Sequence, residues 1–463
     1  MSKQPERDAK RRPEIRGPKL SPQKKWAYGA MILSVILLVG TGFIFVFGDS
    51  IVGSYGKRRV ERAFGAAHPG CTLRIGELHY AIRANQIAAE SVTLTSTNMT
   101  LNVGRLSLAG VSWSRLLWGK PELAEALATA SCNATDLEAL FPDANYGVRC
   151  ARLQASAPSS QLIAEEIELK TLIGDEAFFT AHDFRTTRFH VVVPKCQLLG
   201  LEFGELLKGK SYRARSAQLF QPSFNALVNR DKPVDPFAQR PLMVHEALAA
   251  IAQPLQIDQL SITNGHISYC ERRLAGADPG VLTFAAVDMS VENIANRGEP
   301  AAAIKLRAQG DLMNAGTLRL QMTIPIAAPD FSFHYSGSLT AMDLTRLDAF
   351  LEVAERTRIK SGQARNVAFD IDVTAGEARG RVRAIYRDLV IAVLDKKDGT
   401  ENGLGNRVVS FLTNALKIEN SNEPDAAGLA KEGKVNYTRN PDDEFLQFAW
   451  FALRSGVLDA INQ

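Results

Sequence analysis

The sequence predicts a mainly β fold with peripheral helices (α+β), in which an N-terminal transmembrane helix precedes a long, curved antiparallel sheet or groove. Three observations carry this prediction. Residues 26–48 contain no charge, much of the chain after residue 73 alternates between apolar and polar side chains, and one β-rich unit occurs twice. With 463 residues the chain is long enough for two or three domains.

Residues 1–25 form a basic tail. They hold nine Lys or Arg against three acidic residues, whereas the rest of the chain holds 45 basic and 47 acidic residues. Four prolines among these charges are typical of disorder. Because the positive charge belongs to the tail, we expect no nucleic-acid partner for the body of the protein.

Residues 26–48 predict a membrane-spanning helix. At about 1.5 Å per residue, 23 uncharged residues cover about 34 Å, which is enough to cross a bilayer. Lys24 and Lys25 precede this segment, so the positive-inside rule places the N-terminus in the cytoplasm and the bulk of the chain outside it. The residues that we expect to anchor the helix are Trp26, Tyr28, Ile36, Leu37, Phe43 and Phe47.

Two alternatives to this anchor are a buried core helix and a cleaved signal peptide. A core helix of this length normally shows a polar face, which residues 26–48 lack. A signal peptide has a shorter apolar run and a cleavage site of small residues, and Phe-Val-Phe-Gly-Asp-Ser at 45–50 is a poor match to such a site. The sequence therefore favours a single-pass anchor, with the bulk of the chain outside the cytoplasm.

After the anchor, residues 49–228 predict an N-terminal β-rich domain. A short helix over 51–66 is ended by His-Pro-Gly at 68–70, and the apolar period changes to two from Leu73. Residues 86–103 alternate in the way expected for antiparallel strands with one apolar face.

A repeated frame marks a duplication within this domain. Residues 108–120 and 198–210 share the pattern apolar-x-Gly-apolar-x-aromatic-x-x-Leu-Leu-x-Gly-Lys. Upstream, 74–94 aligns with 149–169, so two repeats of about 50 residues are expected, near 74–120 and 149–210. The offset grows from 75 to 90 residues, which implies a 15-residue insertion between Leu169 and Cys196.

The second copy also matches the phosphate-loop pattern G-x-x-x-x-G-K-[ST] from Gly204 to Ser211. Its four variable residues, Glu-Leu-Leu-Lys, favour a helix, and the glutamate would repel phosphate. The first copy has Ser114 and Pro121 where the pattern needs Gly and Ser or Thr. We therefore interpret the shared frame as a strand, a helical turn and a Gly stop, and expect no nucleotide to bind.

Residues 229–255 predict a proline-containing linker and a short helix (244–252), before a C-terminal β-rich domain over 256–463. Asn264-Gly265 predicts a hairpin that joins two short strands within 257–269. Helices are expected over 343–356 and around 408–416, and 445–461 is compatible with a strand or a helix. The strands predicted in this half are 281–293, 303–313, 317–326, 330–339, 364–374 and 378–394.

No residue set argues for catalysis, a metal or a cofactor. His245-Glu246 lacks the histidine at 249 that a zinc protease needs, and His182-Asp183 is an isolated pair. Asp370 and Asp372 share one strand face, which we interpret as solvated. The five cysteines show no CxxC pairing, which leaves isolated thiols or one or two disulfides open.

The abundant apolar strand surface has two interpretations, an ordinary packed core or a groove for acyl chains. A groove would gain about 0.8 kcal/mol for each CH₂ group that it removes from water, without directional chemistry. The residues that we expect to line such a groove are Val92, Leu94, Leu101, Val103, Ile257, Ile262, Ile267, Phe369, Ile371 and Val373.

The order of the motifs resembles the AsmA-like proteins of Gram-negative envelopes, distant relatives of bridge-like lipid-transfer proteins. The anchor, the short helix and the repeated Leu-Leu-x-Gly-Lys unit come first. The other matching segments are Pro-Gly-x-x-x-Arg-Ile-Gly-x-Leu at 69–78, Ile-x-x-Leu-x-Ile-x-Asn-Gly-x-Ile at 257–267, Ile-Lys-Ser-Gly at 359–362, Phe-Asp-Ile-Asp-Val at 369–373, Gly-x-Val-x-x-x-Tyr-x-Asp-Leu at 380–389 and Phe-x-Trp-Phe-x-Leu-x-x-Gly at 448–456.

The resemblance implies a non-enzymatic inner-membrane protein with a periplasmic β-groove and membrane lipids as partners, including phospholipid as cargo. It also implies a role in outer-membrane biogenesis or in phospholipid transport. A structural or interaction scaffold of the envelope, with a closed core and no lipid, is the alternative. With roughly twenty strands about 4.8 Å apart the sheet would reach about 100 Å, which argues against bridging the periplasm alone.

Overall fold

The computed structural model describes residues 54–67, 70–81, 85–112, 123–237, 240–298, 302–326, 330–394 and 418–462. Within these ranges the protein is mainly β with few helices, which confirms this part of the predicted fold class. The strands in chain order are β1 (Thr72–Ala81), β2 (Gln86–Ser96), β3 (Met99–Ala109), β4 (Ser131–Phe141), β5 (Tyr146–Ser156), β6 (Gln161–Thr171), β7 (Thr187–Leu199), β8 (Tyr212–Phe220), β9 (Ser223–Asn229), β10 (Leu255–Arg272), β11 (Gly280–Ala295), β12 (Ala303–Leu312), β13 (Gly316–Pro325), β14 (Phe333–Leu339), β15 (Met342–Asp343), β16 (Thr357–Thr374), β17 (Glu377–Val393) and β18 (Glu432–Thr438).

Most of the described helices are short. Two 3₁₀ turns cover Pro142–Ala144 and Leu344–Leu347. The α-helices are α1 (Ser54–Ala67), α2 (Leu123–Ala126), α3 (Asp175–Thr180), α4 (Phe203–Leu207), α5 (Val244–Ala249), α6 (Asp348–Ala354) and α7 (Phe445–Ile461). The segment over 445–461, for which the sequence left strand and helix open, is therefore helical. The helix expected around 408–416 lies outside the described residues.

All of these strands belong to a single sheet. From β1 to β7 and from β10 to β18 the neighbours pair antiparallel, with β8 and β9 sharing one position beside β7, and β14 and β15 sharing one position beside β16. Sixteen strand positions about 4.8 Å apart span about 72 Å, less than the reach expected from the sequence.

The expectation of a purely antiparallel sheet is wrong at one place, because β10 pairs parallel with β8 and with β9. Parallel neighbours need a crossover connection, and residues 230–254, which include α5, supply it. The sheet is therefore mixed. Strand pairing also joins β8 and β9, which precede residues 230–254, to β10, which follows them. The sequence predicted a boundary between two domains at residues 229–255.

The hairpin predicted at Asn264-Gly265 is also wrong. β10 runs without a turn from Leu255 to Arg272, and Asn264 adopts a positive φ of 52° inside the strand. The pairing with β11 shifts register between Ile262 and Gly265, and on the other side β10 changes its partner from β8 to β9. The left-handed preference of asparagine thus serves a strand irregularity here and not a turn.

A row of special residues, which we call the seam, crosses β1–β7. Three of its members have positive φ in the middle of a strand, namely Ser91 (53°), Asp136 (55°) and Glu166 (53°). They lie on β2, β4 and β6, and the residues opposite them are small or lack a backbone N–H. The whole row is Gly76, Ser91, Gly104, Asp136, Ala151, Glu166 and Pro194.

The seam resets the alternation of side chains in each strand that it crosses. In β2, Ile87 and Ala89 are buried before the seam, and Val92 and Leu94 are buried after it. The same spacing, apolar-x-apolar-x-x-apolar-x-apolar, recurs in β3 and β4. Two consecutive residues of each strand therefore face outward at the seam, and the buried residues on both sides of it share one face.

We call the face that carries the buried apolar residues of β1–β6 the inner face, and the opposite face the outer face. On the inner face, one core cluster joins β1–β6 to α1 and α4. A second cluster joins β11–β18 to α5 and α7, and a third lies between the ends of β16 and β17, α6 and the end of α7. α3 instead packs Phe178 and Phe179 on the outer face, against Leu227 and Cys270.

The two sequence repeats fold as two sets of three strands. Residues 74–94 belong to β1 and β2, and 149–169 belong to β5 and β6. β3 and β7 follow as the third strand of each set. The 15-residue insertion falls between β6 and β7, where α3 lies. The repeated strands lie four positions apart in the sheet, and so they run in the same direction.

Candidate functional site: the inner face of the sheet

The ten residues expected to line a groove all lie on the inner face, because the strand register places their rows side by side. They differ in how they are covered. Seven are buried, and the three on β10 are half-buried. The buried ones are Val92, Leu94, Leu101, Val103, Phe369, Ile371 and Val373, and the half-buried ones are Ile257, Ile262 and Ile267.

At the β1–β6 end, the inner face is filled by its own side chains. Leu94 is 1 % exposed and packs in the same cluster as Phe64 of α1 and Phe203 of α4. A cavity lined by Leu108 and Cys132 has a volume of 20 Å³, which holds a water molecule and nothing larger. Burial raises the pKa of the Cys132 thiol to about 12, so this thiol stays protonated at neutral pH.

At the β13–β18 end, α7 covers the inner face. Phe448 of α7 is fully buried against Phe331 and Phe333, with ring centroids 5.0 and 6.2 Å away. The Tyr335 hydroxyl donates a 2.8 Å hydrogen bond to the Ala449 carbonyl, which ties the helix to β14. Phe369 and its neighbours on β16 are therefore core residues of this end.

Between these two ends, one row of apolar side chains is left partly open to solvent. The row runs directly across five neighbouring strands, so its length is about 19 Å. We call it the open row, and its members are Val191, Phe224, Ile267, Phe284 and Leu312. Phe224 is 38 % exposed and lies 5.8 Å from the ring of the equally exposed Phe189. Apolar surface of this kind is a common mark of a binding site.

Arginines lie at the end of the sheet next to the open row. Four of them lie within two residues of a strand end, before β7 or β16 or after β9 or β10, and the fifth belongs to α7. We call them the arginine cluster, and they are Arg185, Arg230, Arg273, Arg356 and Arg454. Electrostatic interactions link Arg273 to Arg230 and Arg356, and Arg185 to Arg230 and Arg273.

Two carboxylates lie within the arginine cluster. The Arg230 guanidinium donates a 2.5 Å hydrogen bond to the buried Glu271, which also accepts one from the Tyr269 hydroxyl at 2.6 Å. Burial lowers the pKa of Arg230, but the hydrogen bond and charge of Glu271 together with Tyr269 outweigh burial, so the pKa of Arg230 is raised. Glu355 lies 3.6 Å from Arg454, and burial nonetheless raises the pKa of Glu355.

Burial lowers the pKa of three arginines of the cluster, Arg185, Arg273 and Arg454, because it disfavours the charged form. Burial and the neighbouring Arg230 lower the pKa of Arg185, and burial and the neighbouring Arg356 lower the pKa of Arg273. Arg273 donates hydrogen bonds to the carbonyls of Val353 and Ala354, which end α6. The site therefore combines an apolar row with a concentration of positive charge at one end.

One group of potential metal ligands occurs among the described residues. His334, Asp370 and Asp372 each offer one ligand atom within 4.8 Å of the others. They lie on the outer face, where His334 makes a 2.9 Å contact with Asp372 and both carboxylates are more than 70 % exposed. Paired charges on a solvated strand face account for this arrangement, as the sequence suggested for the two aspartates.

The phosphate-loop match forms a helix and its stop. Phe203–Leu207 is α4, and Gly209 has a φ of 63° just after it. Ser211, the last residue of the match, is buried and directly precedes β8. The backbone N–H groups of residues 206 and 208 bond to carbonyls within the helical turn, so they are not turned toward a ligand.

The expected membrane anchor, with Trp26, Tyr28, Ile36, Leu37, Phe43 and Phe47, lies outside the described residues. Among the helices that the described ranges form, none is both long and apolar enough to cross a bilayer. All five cysteines are free thiols in the structure. A cleft of about 450 Å³ between α1 and β1 is lined by Arg58, Arg62 and Arg74 among others.

Neither a comparison of the sequence with models of known protein families nor a comparison with curated proteins found a match.

Proposed function

We propose that this protein is a non-enzymatic, single-pass protein of the inner membrane whose periplasmic sheet receives acyl chains on its inner face. Its role would be in outer-membrane biogenesis or phospholipid transport, as in the AsmA-like proteins that the motif order resembles. The observation that carries the proposal is the open row, which leaves apolar side chains in contact with solvent between two covered ends.

The energetics of such a surface favour an apolar occupant. If about eight methylene groups of an acyl chain left water on contact with the open row, they would contribute about 6 kcal/mol before the cost of ordering the chain. A row about 19 Å long accommodates a chain segment of that size. Membrane tethering through residues 26–48 would supply a lipid source close by.

The alternative is an envelope scaffold with a closed core and no lipid cargo. Burial of the inner face at both ends favours this alternative, because Val92, Leu94 and Ile371 already have protein neighbours on every side. The two functions differ in what touches the open row in the cell. A scaffold would have a partner protein or solvent there, whereas a lipid carrier would have acyl chains.

Photo-crosslinking from two adjacent residues separates these functions. Ile267 lies in the open row, and its neighbour His266 is exposed on the outer face. We expect a photoreactive amino acid at Ile267, in the full chain made in a Gram-negative host, to yield lipid adducts by mass spectrometry. The same amino acid at His266 serves as the control. Equal lipid labelling at both positions, or none at Ile267, would overturn the proposal.

A further inference from the structure

The end of the inner face next to the open row carries more positive than negative charge. Five arginines face two carboxylates there, and each carboxylate already serves one arginine, Glu271 with Arg230 and Glu355 with Arg454. Arg273 is engaged with the carbonyls at the end of α6. Arg185 and Arg356 are left, and neither has an ion pair or a side-chain hydrogen bond within the described residues.

Both of these guanidinium groups hold buried donors. Nε of Arg185 and NH1 of Arg356 are shielded from solvent and have no hydrogen-bond partner in the described part of the chain. A buried donor without an acceptor costs free energy, so a native structure normally supplies an acceptor from protein, water or ligand. Guanidinium groups that lack a carboxylate are well suited to a phosphate, which they contact through two parallel N–H donors.

Arginines on the outer face differ from Arg185 and Arg356, because each of them has a carboxylate partner. Arg272 pairs with Glu176 and stacks over the Phe179 ring at 4.4 Å, and Arg188 donates to Asp175 at 2.8 Å. Each of them also has an unbonded Nε, but each keeps a carboxylate partner. Each of them therefore has a carboxylate ion-pair partner, which Arg185 and Arg356 lack among the described residues.

The arginine cluster and the open row lie at successive levels along β10. Ile267, Tyr269 and Glu271 follow each other on the inner side of β10, and Glu271 contacts Arg230. At about 3.3 Å per residue, Ile267 lies about 13 Å from the level of Glu271. A ligand with an anionic head and an apolar tail would fit this spacing.

We propose that Arg185 and Arg356, supported by Arg230 and Arg273, bind the phosphate of an anionic amphiphile whose apolar tail lies along the open row. This inference rests on the proposed function and specifies the class of its lipid. It assigns a charged end to the site, so that the ligand enters in one orientation. Free phosphate is the other source of the same chemistry.

Binding of short-chain lipids to the full chain in a mild nonionic detergent tests the inference. The probes are dioctanoyl phosphatidic acid, dioctanoylglycerol, which lacks the phosphate, and inorganic phosphate, and binding is read out by native mass spectrometry. We expect the anionic lipid to bind at least about ten-fold more tightly than the neutral lipid, since two charge-assisted contacts are at stake. R185Q and R356Q should each abolish most of that preference.

Two further variants control for folding and for charge in general. R185K keeps the charge without the planar fork and should retain part of the preference. R319Q removes an exposed arginine from the outer face of β13 and should leave binding unchanged. Thermal unfolding of each variant shows whether the fold is retained.

The outcomes distinguish a failure of the inference from a failure of the proposed function. Loss of the preference in R185Q but not in R319Q supports the inference. Inorganic phosphate that binds as tightly as the anionic lipid overturns the amphiphile assignment in favour of free phosphate. Equal binding of both lipids overturns the inference and leaves the proposed function standing, whereas binding of neither lipid overturns both.

Discussion

Glu355 follows α6 inside the arginine cluster and is partly shielded from water. Because burial raises its pKa in the folded protein, ionisation of Glu355 costs more in the folded than in the unfolded state. That cost is fully present above the folded pKa and disappears below the unfolded value of about 4.3. E355Q should therefore raise the free energy of unfolding at pH 7, and the gain should vanish near pH 4.

Urea unfolding of both proteins across this pH range measures the effect. E292Q, which removes an exposed carboxylate paired with Arg307 on the outer face, is the matched control and should change stability by less than about 1 kcal/mol at any pH. A loss of stability for E355Q at neutral pH would contradict the prediction, since it would mean that the attraction to Arg454 outweighs burial.

The charged part of the candidate site was beyond the reach of sequence reasoning. Its arginines lie up to 171 positions apart in the chain, and in the sequence each is an ordinary charged residue next to a strand. They are Arg185, Arg230, Arg273 and Arg356. The register of β7, β9 and β10 brings three of these strand ends together, and the end of α6, whose carbonyls accept hydrogen bonds from Arg273, brings Arg356 to them. The apolar residues of the site were easier to predict from the sequence, because the alternation pattern selected ten residues that all lie on the inner face.

The seam is the feature of the strands that most constrains their sequence. A Cβ at Gly104 would lie 2.9 Å from the Cβ of Asp136, which itself has a positive φ. Since both backbones are fixed by pairing on two sides, the clash is not easily relieved. G104A should lower the free energy of unfolding by about 1–3 kcal/mol, as other overpacked sites do.

G174A is the control, because a Cβ there meets nothing within 4 Å and Gly174 lies in a loop before α3. Its effect should stay within about 0.5 kcal/mol. Adding D136G to G104A removes the atom that the new methyl group meets and should recover much of the loss. Denaturant unfolding of the three variants is the measurement, and a G104A protein as stable as G174A would rule out a tightly packed seam.

Sequence reasoning at the level of elements failed where one residue type serves two purposes. Asn264-Gly265 has the chemistry of a tight hairpin, yet β10 continues through it with Asn264 in the left-handed region. The seam was visible in principle as the spacing apolar-x-apolar-x-x-apolar-x-apolar. A search for strict alternation does not find it, because two outward residues in succession look like the end of a strand.

At the scale of the whole molecule, β10 joins the two parts of the described sheet. β1–β9 meet β11–β18 through its parallel pairing with β8 and β9 and its antiparallel pairing with β11. Leu260 pairs with Ala217 on one side and Val291 on the other. A proline at this position removes a backbone donor and distorts the strand between both neighbours.

We expect L260P to split thermal unfolding into two transitions, because each part of the sheet retains its own core cluster but loses its connection to the other. L260A shortens the same side chain and keeps the backbone N–H, so it should unfold in a single, slightly lowered transition. Differential scanning calorimetry distinguishes the two patterns. One transition in L260P, close to that of L260A, would show that the parts are coupled by other contacts.

The seam also restricts how a sheet of this kind can lengthen. Left-handed residues occur on every second strand, at Ser91, Asp136 and Glu166, and each faces a strand that lacks one. The structural period is therefore a pair of strands, and the two repeats are displaced by two such pairs. Insertion of a single strand would reverse the direction of every later strand. It would also place two strands that both carry, or both lack, a left-handed residue next to each other at the seam. Gene duplications that survive should therefore add strands in even numbers.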